Sequence, residues 1–257
     1  MDDIPDQTTE SSPALKAFSL LEIIAGLDHA PTLAELTEAA NLPKPTLHRW
    51  LAMLESAELI RRMPDGRRYE LAARATSLAF AILSNNPSST QRHQVLERLV
   101  RELGESCNLT ILEGGEVMYL DRVEAKLPLR VAFQKGSRVP AHCSASGKMF
   151  LAMMSPARRN RLLSTLILDR HTPNTIVEIN ALNEELALIR RQGYALDDEE
   201  FLSGLFCIAV PVIDKTRREC VAALALQAPV VRLSRNNATE RLATLSAAAE
   251  TLSAILT

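Results

Sequence analysis

His142, Ser146, Asp197 and Cys207 are the residues of this 257-residue chain whose types could do covalent chemistry. A base, a hydroxyl or thiol nucleophile and a carboxylate are the parts of nucleophilic catalysis. The surroundings argue against it. Ser146 lies in Ser144-Ala145-Ser146-Gly147-Lys148, not in the G-x-S-x-G turn that exposes a nucleophile. Gly147-Lys148 does not complete a phosphate loop either: His142 occupies the upstream glycine position and no Ser or Thr follows Lys148. His142, Cys143 and the acids Asp197 to Glu200 are metal-ligand types without a recognisable ligand spacing. The expectation is therefore no catalytic residue, no metal and no cofactor. His142 reads as structural, and Cys143 and Cys207 as buried small thiols without a resolving partner.

The acids Asp197-Asp198-Glu199-Glu200 raise a separate question, because an apolar run, Leu205 to Val212, follows them closely. Adjacent carboxylates need water or partners. They are a catalytic cluster, a metal site, a solvated bend or part of a pocket, and the elements around them must decide. The four cysteines include no C-x-x-C pair, which argues against a zinc ribbon or a redox motif. The acidic N-terminus has no apolar leader segment, and no run of about 18 apolar residues is present. The expected setting is cytoplasmic, away from membranes, with reduced thiols.

Residues 1–12 are polar and read as a disordered tail. Leu20, Leu21, Ile24 and Leu27 form a helical stripe. Thr32 with Glu35 fits a capping box that opens a second short helix. After the break at 41–45 (NLPKP) a third helix through 46–57 carries Leu47, Trp50, Leu51 and Leu54 on one face, with His48, Arg49 and Ala52 opposite. Two strand-like pieces then flank Pro64-Asp65-Gly66, a turn signal. Residues 72–85 read as a helix and 85–89 as a linker. Beyond them, Val95, Leu96, Leu99 and Leu103 predict a helix, and 109–123 two strands about Gly114-Gly115. Residues 129–133 predict a strand. Ser155-Pro156 opens another helix, and Thr175 with Glu178 predicts a second capping box. Cys207 to Ile213 and Cys220 to Gln227 predict a hairpin, and Leu242, Leu245, Ala249 and Leu252 a closing helix. The second region is thus α+β on a largely antiparallel sheet.

Charge separates the regions. Residues 1–42 hold eight acids and one lysine, whereas residues 43–74 hold seven bases and four acids. Helix, capped helix, tight turn, amphipathic helix and basic hairpin are the layout of a winged helix-turn-helix. A local basic patch in a nearly neutral protein points to a polyanion. His48 and Arg49 fall where a recognition helix meets base edges, and Lys44 and Thr46 in the first turn, where phosphate is met. Arg61, Arg62, Arg67 and Arg68 of the hairpin suit the DNA backbone or a minor groove. Trp50 lies on the apolar stripe and reads as core.

Three segments together resemble the IclR family of bacterial transcriptional regulators: 41–54 (NLPKPTLHRWLAML), 140–152 (PAHCSASGKMFLA) and 193–212 (GYALDDEEFLSGLFCIAVPV). The resemblance covers the chain from about residue 13. It implies an N-terminal winged helix-turn-helix domain (13–72), a linker helix and linker (73–88) and a C-terminal GAF/PAS-like α+β effector domain (89–257). It also implies a homodimer or tetramer on a pseudo-palindromic operator in double-stranded DNA. By motif, Ala145 and Ser146 would offer backbone or hydroxyl contacts to a small-molecule effector, probed from the other side by Asp197 and Cys207. Val131, Val139 and Leu205 fall where the family places apolar pocket walls. Small residues in the 144–148 segment would let backbone approach a ligand, and N–H groups opening a helix favour a carboxylate. Asp198, Glu199 and Glu200 read as a solvated bend or structural acceptors. The resulting expectation is a ligand-responsive regulator, most simply a repressor, taking an organic acid. An activator of the same architecture, a ligand-binding adaptor and an enzyme using His142, Ser146 and Asp197 are the alternatives.

Overall fold

A computed structural model of the protein describes residues 12–27, 29–85, 88–127 and 133–256. The chain divides into two compact units, Met1–Ile82 and Leu83–Thr257. Residues 1–11 of the expected tail lie outside the described residues, and Ser12 is the N-cap of the first helix.

The first unit contains α1 (Pro13–Gly26), α2 (Leu33–Ala40), α3 (Lys44–Ser56) and an antiparallel ribbon of β1 (Ile60–Arg62) and β2 (Tyr69–Leu71). Its core joins Leu20 and Ile24 of α1, Leu36 of α2 and the expected α3 stripe, Leu47, Trp50, Leu51 and Leu54. Ile60 and Tyr69 close it from the ribbon. Trp50 is thus a core side chain. The Thr32–Glu35 capping box forms in both directions. It satisfies first-turn N–H groups that the helix itself cannot. Asn41 ends α2 in the left-handed conformation (φ 49°), which asparagine tolerates better than most residues, and so makes the tight turn into α3. The ribbon turn is held by the Asp65 carboxylate, which accepts from the N–H groups of Arg67 and Arg68.

Next comes α4 (Ala73–Asn85) and then α5 (Ser88–Leu103). The linker expected over 85–89 is therefore shorter than its composition suggested. Asn85 is the last residue of α4 and Ser88 the first of α5.

The second unit is built on a six-stranded, fully antiparallel sheet. In chain order its strands are β3 (Ser106–Glu113), β4 (Glu116–Val123), β5 (Arg138–Pro140), β6 (Ala195–Asp198), β7 (Leu205–Asp214) and β8 (Glu219–Pro229). The spatial order is β5-β4-β3-β8-β7-β6. Both expected hairpins form, β3–β4 and β7–β8. α6 (Ala145–Met153) packs on the sheet, and α8 (Ile179–Gln192) packs on α6. α7 (Pro156–Leu163) lies between them in sequence, opened by the Ser155 hydroxyl accepting from Arg158 N. α5 and α9 (Leu242–Leu256) pack on each other and on the sheet. Alternation sorts the strands: Ala209, Ala223 and Ala225 pack with the α6 side, and their neighbours Ile208, Val210, Leu224 and Leu226 point the other way. Three alanines under α6 keep that side of the sheet low, which leaves room for a cavity. The strand expected over 129–133 falls mostly outside the described residues, and Phe133 belongs to no strand.

The second capping box does not form. α8 starts with Glu178 as its N-cap and no side-chain cap. The Thr175 hydroxyl is already engaged: it accepts from His171 N and Thr172 N and donates to Glu200 O. A tertiary bond has taken the group that the local motif would have used.

Gly147 has a role other than the expected ligand approach. A Cβ there would lie 2.2 Å from Ala141 O and 2.3 Å from Ala141 Cα. The missing side chain lets the chain entering α6 cross over the helix itself. Gly147→Ala is expected to destabilise the chain by about 1–3 kcal/mol or more, since backbone rather than a flexible side chain must move. Urea denaturation of the full chain checks this; an unchanged midpoint would show that the crossing relaxes freely.

Candidate functional site

In the first unit, the exposed face of α3 carries Lys44, His48, Arg49 and Ala52, with Thr46 half-buried. Leu47, Trp50, Leu51 and Leu54 hold the opposite face down, so burial of the stripe aims the basic face outward. The N-cap of α3 is Pro43, which provides no side-chain cap, and Pro45 has no N–H. The first-turn N–H groups of Lys44 and Thr46 therefore have no partner from the helix and are available to an anion. The hairpin arginines are placed differently from one another. Arg61 pairs with Glu70 at 2.6 Å, Arg62 with Glu55 at 3.3 Å and Arg68 with Asp65 at 2.6 Å. Arg67 is exposed at the turn, outside any ion pair among the described residues. Both kinds of surface cation are at hand, pre-positioned and unpaired.

In the second unit a cavity with about 360 Å³ of empty space, part of it open to solvent, lies between the sheet and the start of α6. Val139, Ala145, Ser146, Asp197, Leu205 and Cys207 all line it. Val131, the remaining expected wall residue, lies outside the described residues. Ser144 is the true N-cap of α6: its hydroxyl accepts from Gly147 N and donates to Pro140 O at 2.7 Å. The N–H groups of Ala145 and Ser146, next in the first turn, are left without helical partners beside the cavity.

Asp197 and Cys207 are cross-strand partners on β6 and β7. Asp197 is buried, and its Oδ1 accepts from Glu200 N at 2.8 Å and Phe201 N at 3.3 Å. Burial first, and the nearby Glu200 second, push its carboxyl up to about 7 despite those hydrogen bonds. Burial likewise holds the Cys207 thiol well above its ordinary range, so it is protonated. The other acids divide. Asp198 and Glu199 are half-exposed. Glu200 is buried and pairs with the Lys148 ammonium, which also meets Glu185 at 3.1 Å. The solvated-bend reading thus fails for Glu200, which acts as a structural acceptor.

Several lining residues escaped the sequence reading: Asn108 and Thr110 of β3, Tyr119 of β4, Phe201 and Gln227. Asn108 and Thr110 carried a signal, being polar residues that alternate with the apolar Cys107, Leu109 and Ile111. Gln227 accepts at Oε1 from Arg122 (2.6 Å) and Asn108 (3.4 Å), while its buried Nε2 has no hydrogen-bond partner among the described residues. The cavity therefore offers unsatisfied N–H donors, a carboxyl able to be neutral and small apolar walls. This is an arrangement for holding a small polar molecule, and it supplies no activated nucleophile.

Two family models match the chain: the IclR helix-turn-helix domain over residues 13–64, and the bacterial transcriptional regulator IclR C-terminal domain over residues 80–254. The chain is 43% identical to the probable transcriptional regulator SauR of Cupriavidus necator, over 87% of this chain and 88% of that protein. It is 31% identical to the transcriptional repressor IclR of Escherichia coli, over 88% of this chain and 82% of that protein. The crystal structure of an IclR homologue from Microbacterium hydrocarbonoxydans, complexed with 4-hydroxybenzoate, superposes with a TM-score of 0.58 at 27% identity, covering 95% of this chain and 99% of that one. No helix among the described residues is long and apolar enough to cross a membrane. Basic helix face, lined cavity and matching domains lead to one conclusion: the chain belongs to the IclR family of bacterial transcriptional regulators, and it is a ligand-responsive DNA-binding protein rather than an enzyme.

Proposed function

We propose that α3 enters the major groove of a pseudo-palindromic operator, with Arg49 and His48 at base edges, while the cavity beside the start of α6 takes a small organic acid that alters operator affinity. Lys44, Thr46 and the arginines 61, 62, 67 and 68 serve the phosphate backbone. The protein acts as a homodimer or tetramer, so that two recognition helices meet two half-sites. Repression is the working mode, as it is for the Escherichia coli relative, a transcriptional repressor. The domain limits 13–72, 73–88 and 89–257 accompany this reading.

The observation that carries the ligand assignment is the pairing of unpartnered first-turn N–H groups at Ala145 and Ser146 with a buried Asp197 carboxyl across one cavity. A carboxylate accepts from the former. The latter, when protonated, donates a hydrogen bond and does not repel it. The Microbacterium homologue was crystallised with 4-hydroxybenzoate, a carboxylic acid, which supports the class.

A gel shift with duplex DNA from upstream of the chain's own gene, in excess competitor DNA and with a panel of aliphatic and aromatic carboxylates, tests the whole reading. A shift that no acid alters would remove the ligand assignment. Arg49→Ala should weaken specific operator binding about 10- to 100-fold, the cost of one base-reading arginine. Acid binding, followed by calorimetry on the same variant, should stay as it was. Retained operator affinity would put base reading elsewhere.

Asp197 generates a pH test with a defined sign. The carboxyl is neutral below about 7 and charged above it. An anionic ligand beside it should therefore bind best at pH 5.5–6.5 and lose roughly tenfold per unit well above 7, until the charged pocket sets a plateau. Asp197→Asn keeps the shape and removes the charge, so the affinity of an acid identified in the panel should become flat with pH. A profile of unchanged slope in the variant would show that Asp197 does not face the ligand.

A further inference from the structure

Neither the α3 face nor the cavity uses one cluster of ligating side chains. His142 and Cys143 lie in the turn that leads into α6, and His171 lies in the segment between α7 and α8. Each offers one ligand atom, a ring nitrogen or Sγ, and the three atoms lie within 4.8 Å of one another. His142 and Cys143 are buried and His171 is exposed. None of the three lines the cavity.

We propose that His142, Cys143 and His171 form a binding site for a divalent transition-metal ion of the zinc class, separate from the effector cavity. The donor set decides the class. Two imidazoles and one thiolate suit zinc or its cobalt surrogate, and offer nothing to magnesium or calcium, which take oxygen ligands. The orientation of His142 is already set. Its Nε2 lies 3.0 Å from the carbonyl oxygen of Asp169, which can only accept. That nitrogen carries the proton, and Nδ1 keeps the lone pair a metal needs. Backbone carbonyls hold metal-binding histidines in this way.

The spacing is close to what a tetrahedral ion requires. Zinc lies about 2.0–2.1 Å from nitrogen and about 2.3 Å from sulfur, which puts neighbouring ligand atoms about 3.3–3.6 Å apart. The cluster must contract by about an ångström. The two buried ligands are fixed by the turn, whereas the exposed His171 ring can rotate on a backbone that Thr175 holds at His171 N. On binding, the Cys143 thiol gives its proton to solvent and Sγ bonds the ion. His171 is the exposed member, so the fourth position opens on the solvent side and takes water. Sequence spacing did not disclose the set because its third member comes from a different segment, brought in by tertiary structure.

The bound ion would join the 171–175 segment to the turn before α6. The hydroxyls of that segment already hold the acidic bend, through Thr172 Oγ1 on Glu199 O at 2.6 Å and Thr175 Oγ1 on Glu200 O at 2.6 Å. The His171 ring also contacts Phe201, which lines the cavity, with centroids 5.3 Å apart.

The test uses the full chain without an affinity tag, stripped with a chelator and titrated with Co²⁺, then with Zn²⁺ against a chromophoric chelator. One equivalent of Co²⁺ per chain should produce a thiolate-to-cobalt charge-transfer band with visible absorption of tetrahedral intensity, and Zn²⁺ should displace it. Cys143→Ser should abolish the charge-transfer band. His171→Ala, a change at an exposed position that leaves the core intact, should lower Zn²⁺ affinity at least tenfold. The proposal is overturned if no such spectrum forms, if His171→Ala binds Zn²⁺ as tightly as the parent, or if the band survives Cys143→Ser and is lost in Cys207→Ser, which would put the ion in the cavity.

Discussion

The second unit depends on a buried ammonium. Lys148 is 1% exposed, and an unpaired charge there would be prohibitive. Its Nζ is met by Glu200 and Glu185, so one side chain on α6 ties together the acidic bend after β6 and the helix α8. Such a pair contributes little net stability against an apolar alternative, but breaking it leaves a buried charge, which costs about 3–5 kcal/mol. Its consequence here is positional. With Glu200 held, its backbone N–H and that of Phe201 point at Asp197 Oδ1. The cavity's two polar walls, the α6 first turn and Asp197, are thereby linked through one residue, whose backbone N–H also bonds Ser144 O at the head of α6 at 2.9 Å.

The same pair explains the electrostatics of the cavity. Lys148 is the nearest cation on α6, and its charge is committed to two glutamates. Asp197 gains little from it and remains dominated by burial and by Glu200. The α6 side of the cavity accordingly presents N–H dipoles and a titratable acid, and its fixed positive charge belongs to the buried Arg122, which bonds the lining Asn108 and Gln227. The first unit follows the opposite logic. Its cations lie in water, and three hairpin arginines make exposed ion pairs within their own unit. Pairs of that kind are worth about 0–1 kcal/mol each, so a phosphate can replace the carboxylate at small cost. The pairing keeps the arginines ordered on the ribbon without removing them from use.

The first unit was largely legible in the sequence because local rules govern it. The capping box at Thr32, the turn at Pro64-Asp65-Gly66 and the stripe from Leu47 to Leu54 are contacts within or between adjacent elements. The cavity was legible only in part. Asp197, Cys207, Ala145 and Ser146 came from a resemblance, and all line the cavity. Gln227 meets Asn108 because β3 and β8, distant in sequence, are neighbours in the sheet, and no periodicity announces that adjacency. One local reading was overruled by a tertiary contact: Thr175 gave its hydroxyl to the acidic bend instead of capping α8. Of the two readings open for Glu200, the structural acceptor is the one that holds, paired with Lys148. Gly147 had the right identity for another reason, since the neighbour that needs its missing Cβ is Ala141.

A small acid in this cavity must supply differential binding energy if it is to change DNA affinity, and the coupling must be reciprocal between cavity and operator. A hundredfold change in operator affinity requires about 2.8 kcal/mol of preference for one conformation. Small ligands gain at most about 1.5 kcal/mol per heavy atom, less as they grow, so a preference of that size is a large share of what a compact acid has to give. It must come from groups whose geometry differs between conformations. The first-turn N–H groups of α6 and the Asp197 carboxyl qualify, because Lys148 and the acidic bend position both. A modest shift of that bend would change the donors and the acid together, and the ligand would read them as one unit.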